Sequence, residues 1–327
     1  MKQRILQWTV FIASLWLLRA EQWLQHDFTN DPVRQGWKYH GDSSLFSWES
    51  VAGRMAVTWD SSHSNSYFYL PLMTVLGRTD SFELGFDLEL ENVLAGVGPG
   101  KPFAFELAVG FLNINQAIHP AFRRGTGTDS PNLIEFDYFP DTGFGATVWP
   151  TIVDTNGAFN YGGNQDYLLL ELVPGVVYRV LMRYSAESEV LSTTLTRDGI
   201  AVAPVLELRL SGRFTDFRAD ALAISSYSDL GAEGSILANG WIDNVSLRIP
   251  DPPVRQLELS CGENGCHVRF ASLPHWRYTL ERSQDLRLWE ATGPSQAGAG
   301  AFLELVDPLP FDRAGFYRVR SEKESKP

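Results

Sequence analysis

The chain is short of cysteine, histidine and basic charge, and each shortage removes a class of function. Only two cysteines, Cys261 and Cys266, occur in 327 residues. The neighbouring His267 cannot by itself complete a metal site, which needs three or four soft or imidazole ligands. The six histidines are scattered, with no pair at metal-ligand spacing, and the chain has no Gly-x-Ser-x-Gly elbow. Lysine and arginine total 27 against 39 acidic residues, a net charge of −12. That balance argues against a nucleic-acid partner, which needs a basic surface, and gives no support to binding an anionic membrane. Helical periodicity is scarce. Beyond the first twenty residues no apolar run is long enough to span a bilayer. Gly96 to Lys101 has the glycines and the lysine of a phosphate loop. It lacks the spacing, the Ser or Thr after the lysine and the following helix, so it reads as a turn.

What the chain has is aromatic residues (13%), 28 glycines and 18 prolines, a composition suited to many strands joined by tight turns. Residues 1–20 read as an export signal: Lys2 and Arg4 precede a mostly apolar run from Ile5 to Leu18, and Ala20 is a small residue before a cleavage point. The expected location is secreted, periplasmic or cell-surface, with no membrane span after signal removal. Phe82, Leu84, Phe86, Leu88 and Leu90 alternate with Glu83, Gly85, Asp87, Glu89 and Glu91, the pattern of a half-buried strand. Val176 to Tyr184 and Val190 to Thr196 predict a hairpin pair, and Trp241 to Leu247 a closing strand. A short helix is expected around Ala219 to Ala223. Cys261 and Cys266 flank Gly-Glu-Asn-Gly between alternating runs, which predicts a hairpin joined by a disulfide.

These elements predict an all-β protein, a jelly-roll β-sandwich over residues 27–249. Residues 250–253 are a Pro-rich linker. A small β-sandwich-like module follows over 254–320, with a disordered tail at 321–327.

The stretch with the most chemistry is Leu133 to Gly143. Its β-branched and aromatic residues predict a strand that ends at Pro140 and an Asp-Thr-Gly turn. Ile134, Phe136 and Tyr138 share one face, and Glu135 and Asp137 the other, about 7 Å apart. Two like charges at that separation need compensation from water, a cation or a catalytic arrangement. Downstream, Trp149 and the Gly- and Asn-rich loop 156–166 offer aromatic rings for the apolar faces of sugars. Trp149, Phe159 and Tyr161 would form the platform, unless Trp149 packs in the core instead, with Asn160, Asn164 and Asp166 to bond hydroxyls or to stabilise turns.

Three features together resemble the concanavalin A-like lectin/glucanase superfamily, whose members are curved jelly rolls. They are Phe28 with Gly36-Trp37; the laminin-G-type hairpin of Val177-Tyr178-Arg179-Val180 with Leu191 and Asp198-Gly199; and Trp241-Ile242-Asp243-Asn244-Val245, similar to the closing strand of bacterial sugar-binding modules. The Glu135-x-Asp137 strand also resembles the metal segment of legume-type lectins. That match implies metal ligands at Glu135, Asp137, the Phe139 carbonyl and Asp141. The family's next carboxylate falls on Ala146 and its histidine near Thr151, which leaves a single calcium held by Asp137, Phe139 and Asp141. The same strand resembles the catalytic strand of laminarinase-like glycosidases, which would make Glu135 the nucleophile and Asp137 its orienting partner. The acid/base position there falls on Phe139 or Pro140, neither of which transfers a proton. Tyr278 to Ser283, Asp285-Leu286 with Trp289, and Phe316 to Val319 resemble a small β-domain of secreted verrucomicrobial-type proteins. The expected function is glycan binding or surface adhesion without catalysis. The alternatives are a glycoside hydrolase or polysaccharide lyase on the same fold, and a structural envelope component with no ligand.

Overall fold

The computed structural model describes residues 21–96, 106–124, 130–157, 167–229, 234–262, 264–310 and 315–324. Residues 1–20, where the export signal is expected, lie outside these, as do Phe159, Asn160, Tyr161, Asn164 and Asp166.

Two antiparallel sheets face each other as a jelly-roll sandwich. The nine-stranded sheet runs Ile200–Ala201, Val190–Arg197, Val177–Ser185, Phe82–Ala95, Ile236–Pro250, Arg54–Asp60, Phe46–Glu49. Glu21–His26 pairs with the second half of strand 236–250, and Leu206–Arg209 pairs with strand 190–197. The seven-stranded sheet runs Leu168–Leu169, Thr147–Val153, Leu133–Phe139, Leu107–Leu112, Ala219–Ser226, Ser66–Leu76, Lys38–His40. Both orders mix sequential neighbours with long crossovers: strand 236–250 sits between 82–95 and 54–60, and strand 219–226 between 107–112 and 66–76.

The alternating strand 82–95 turns its apolar residues inward, where Phe82 meets Phe111 at 5.0 Å and Phe86 meets Phe136 at 5.8 Å between ring centroids. Ile134, Phe136 and Tyr138 therefore face the core, and Glu135 and Asp137 the outer side of the seven-stranded sheet. Trp37 stacks on Phe68 at 4.7 Å and closes one end of the core.

Three expectations are corrected. Residues 219–223 form the start of strand Ala219–Ser226 and not a helix. That strand is central and buried on both faces, so its apolar residues run together and the two-residue alternation is lost. The sandwich starts at Glu21, before the expected 27, because strand 21–26 is hydrogen-bonded along strand 236–250. Ser321, Glu322 and Lys323, assigned to a disordered tail, belong to strand Phe316–Lys323, which pairs with Trp276–Ser283.

After Pro253 a second, smaller hydrophobic cluster gathers Val268, Phe270, Trp276, Tyr278, Leu280 and Leu305. Val254–Gly262 and Gly265–Ser272 form the expected hairpin, with Cys261 opposite Cys266 and the two sulfurs bonded. Tyr278 reaches back from this cluster to donate to the carbonyl of Pro253 at 2.7 Å.

Candidate functional site

Strand 133–139 is buried on both faces up to Phe139, so the carboxylates of Glu135 and Asp137 are not on a solvated surface. Both are fully buried. The room for them comes from small residues on neighbouring strands. Ala108 and Gly110 lie opposite Asp137 and Glu135 in one direction, and Ala108 and Gly110 in turn face Ser225 and Ala223. A Cβ at Gly110 would stand 2.2 Å from the carbonyl oxygen of Ile134 and 3.0 Å from Cγ of Glu135.

The segment from Asn113 to Arg124 covers this hollow. Asn113 caps the short helix Ile114–Ala117, and the helix is fixed to the sheet by Asp220, whose carboxylate accepts from the Ile114 amide at 2.8 Å. Burial pushes the Asp220 carboxyl up, an effect partly offset by that amide. Tyr67 donates to the carbonyl of Ala117 at 3.1 Å, and Phe122 stacks on Tyr227 at 6.2 Å. The chain then brings Arg124 down onto the carboxylates.

Arg124 supplies the compensation whose source the sequence left open. Its Nη2 donates to Oδ2 of Asp137 at 2.8 Å, and its Nε lies 3.2 Å from Oε2 of Glu135 and 3.1 Å from Oε1 of Glu106. The guanidinium is 4% exposed and lies over the ring of Tyr227, 5.6 Å from its centroid. Tyr227 donates to Oε1 of Glu135 and Thr151 to Oδ2 of Asp137, each at 2.5 Å. Burial, and then the charge of Glu135, push the Tyr227 hydroxyl well above its ordinary range. The protonated hydroxyl is the donor in its bond to Glu135. Arg124 and Tyr227 have no motif, and their one sequence signal is that Arg123-Arg124 stands shortly before the Glu-x-Asp strand.

The residues expected to bind a cation are not assembled for it. Glu135 and Asp137 are engaged by Arg124, and Asp141 caps its own turn by accepting from the Gly143 amide at 2.8 Å. Among the described residues no group of three or more acidic, histidine or cysteine side chains is arranged to hold a metal.

Trp149 does gain an aromatic setting. It is opposite Asp137, on the same outer face, and half-buried. Tyr167 lies 5.1 Å from it between ring centroids, Phe139 6.4 Å, and Phe144 5.8 Å from Tyr167. Phe144 is 59% exposed. Phe144 and Tyr167 went unnoticed in the sequence, although an aromatic between Gly143 and Gly145 in a turn signals an exposed ring.

No protein-family model matches the chain, and no curated protein matches it. Among solved structures it is similar to the seed lectin of Lotus tetragonolobus at 12% identity and a TM-score of 0.47, the match covering 71% of this chain and all of that one. It is similar at 11% identity to the calcium- and Man3GlcNAc-bound lumenal domain of VIP36, with a TM-score of 0.40 and coverage of 64% and 82%. A third similar structure is an alginate lyase in complex with an alginate tetrasaccharide, at 11% identity and a TM-score of 0.38, covering 69% and 96%. The likeness is remote in all three.

Proposed function

We propose that this chain is an exported glycan-binding protein whose sandwich carries no hydrolytic centre at the Glu135–Asp137 strand. The observation that carries the reading is the half-open aromatic cluster of Phe139, Phe144, Trp149 and Tyr167 at the rim of the seven-stranded sheet. Rings of this kind suit the apolar C–H faces of sugars, with the tyrosine hydroxyl free to meet a polar edge. The carboxylates beside the cluster favour binding over catalysis. A retaining glycosidase needs a nucleophile and an acid/base carboxyl about 5 Å apart, both in contact with substrate. Here Glu135 and Asp137 are fully buried and tied to Arg124. The N-terminal signal pattern and the Cys261–Cys266 disulfide support export to an oxidising compartment.

The test is a polysaccharide panel scored both for binding and for product release. Phe144→Ala and Tyr167→Ala should each weaken binding by about tenfold while leaving the thermal midpoint unchanged. Binding insensitive to both variants would refute the rim as the site. Release of reducing ends or unsaturated products, abolished by Glu135→Gln, would establish the enzyme instead.

A further inference from the structure

The outer face of the other sheet carries a second feature that the rim does not use. Strand Glu21–His26 turns Leu24 and His26 inward and holds Trp23 outward, with 55% of its surface exposed. Registers across the sheet place Gln25 opposite Ser246, Ser246 opposite Gly85, Gly85 opposite Leu181 and Leu181 opposite Thr194. Gly85 is the gap in that row. With no side chain there, the Arg179 guanidinium lies over it: a Cβ would stand 2.5 Å from its Nη2 and 2.7 Å from Oγ of Ser246.

The result is a trough of about 280 Å³, just below the roughly 300–1,000 Å³ usual for ligand pockets. Trp23 and Gln25 form one wall and Thr194 and Thr196 the other, and Glu83 and Arg179 stand among the remaining lining. The charges are internally matched. Arg179 donates to Asp87 at 3.2 Å, to the carbonyl of Asn244 at 2.6 Å and to Ser246 at 2.7 Å. Arg183 donates to Glu83 at 2.5 Å. A ligand there meets an indole face, two threonine hydroxyls, an amide and a paired cation and anion. It meets no uncompensated charge.

We propose that this trough is a second carbohydrate subsite, taking one pyranose ring of a neutral glycan with its C–H face against Trp23. An indole beside a ring of hydroxyl and amide partners matches a molecule that has one apolar face and a polar rim. Because the local ion pairs are satisfied, an anionic sugar gains no free cation, which favours neutral chains. The ligand class rests on the glycan-binding reading above, but the residues do not. Sites on opposite faces of one sandwich would let the protein bridge two chains.

The experiment measures full-length protein against soluble neutral polysaccharides (mannan, mixed-linkage glucan, xylan and galactan) by affinity electrophoresis, and against their oligosaccharides by calorimetry. Trp23→Ala should weaken binding by about tenfold, and Trp23→Phe, which keeps a ring, by no more than about threefold. Gly85→Ala, which displaces Arg179 and Ser246, should act like Trp23→Ala. Binding that stays within about twofold in both Trp23→Ala and Gly85→Ala, yet falls in Tyr167→Ala, overturns the trough and keeps the rim. The reverse pattern supports the trough and removes the rim. No neutral polysaccharide bound by the parent protein overturns the trough and leaves the rim to be decided by the wider panel.

Discussion

Replacing Arg124 by methionine tests the buried cluster directly. Arg124 touches Glu106, Glu135 and Asp137, and the three carboxyls are at most 2% exposed. Methionine fills much of the same space without charge, so the substitution isolates electrostatics from packing. Removing one partner of a buried ion pair costs about 3–5 kcal/mol, because the remaining charge is left desolvated and uncompensated. For a unit of this size each kcal/mol lowers the melting midpoint by about 2–4 °C, which predicts a fall of roughly 6–20 °C. Far-UV circular dichroism on heating measures it.

The pH dependence separates this cause from simple loss of contacts. In Arg124→Met the buried carboxyls can avoid the desolvation penalty by taking up protons. Their folded pKa values then lie above the unfolded values of about 4. A raised folded pKa gives a contribution that is complete below the unfolded pKa and is lost as pH rises through the folded one. The gap between parent and variant should therefore be smaller at pH 5 than at pH 8. Adding Glu135→Gln or Asp137→Asn to Arg124→Met should recover part of the loss, because it removes a charge left without its partner. A midpoint within about 2 °C of the parent at pH 8, or a gap that does not change with pH, would refute the account.

Two further outcomes are expected. Burial pushes the Glu281 carboxyl up, but donation from Arg318 and Arg320 at 2.7 Å each outweighs it and leaves the carboxyl below its ordinary value. Its stabilisation is thus present above the unfolded pKa and lost as pH falls through the folded one, so Glu281→Gln should destabilise at pH 7 and have little effect near pH 3, read by denaturant titration. Calcium should leave the thermal midpoint of the parent unchanged, and chelator likewise, since a ligand bound only to the native state would raise it; an upward shift with calcium, reversed by chelator, would restore the lectin-type metal reading for Asp137 and Asp141.

The sequence made the sandwich legible where one face is wet and obscured it where both are dry. Strand 82–95 alternates because its acidic residues face outward, and its inward residues pack as expected. Ala219 to Ser226 lies in the middle of a sheet with a covered outer face, so periodicity gave no sign of a strand. Glu135 and Asp137 were visible as a pair in need of a counter-charge, and the Cys261–Cys266 hairpin was readable from spacing. The source of the counter-charge was not. Arg124 reaches the carboxylates through a local chain path pinned by Asn113, Asp220 and Tyr67, partners that are far apart in sequence and share no motif.

The two outer faces differ in what their glycines permit, and that difference underlies the two proposed binding surfaces. In each sheet a central-strand glycine leaves space beside a charged side chain: Gly110 beside Glu135, and Gly85 beneath Arg179. On the seven-stranded sheet the cover 113–124 then excludes water, so the charges of Glu135, Asp137 and Arg124 serve to hold that segment in one register. A buried polar network of this kind specifies position more than it adds stability. On the nine-stranded sheet the side chain of Arg179, 36% exposed, lies over Gly85 and lines an open trough beside Trp23. The same device therefore closes one face and leaves the other able to take a ligand. On the seven-stranded side the proposed binding surface is the aromatic rim of Phe139, Phe144, Trp149 and Tyr167.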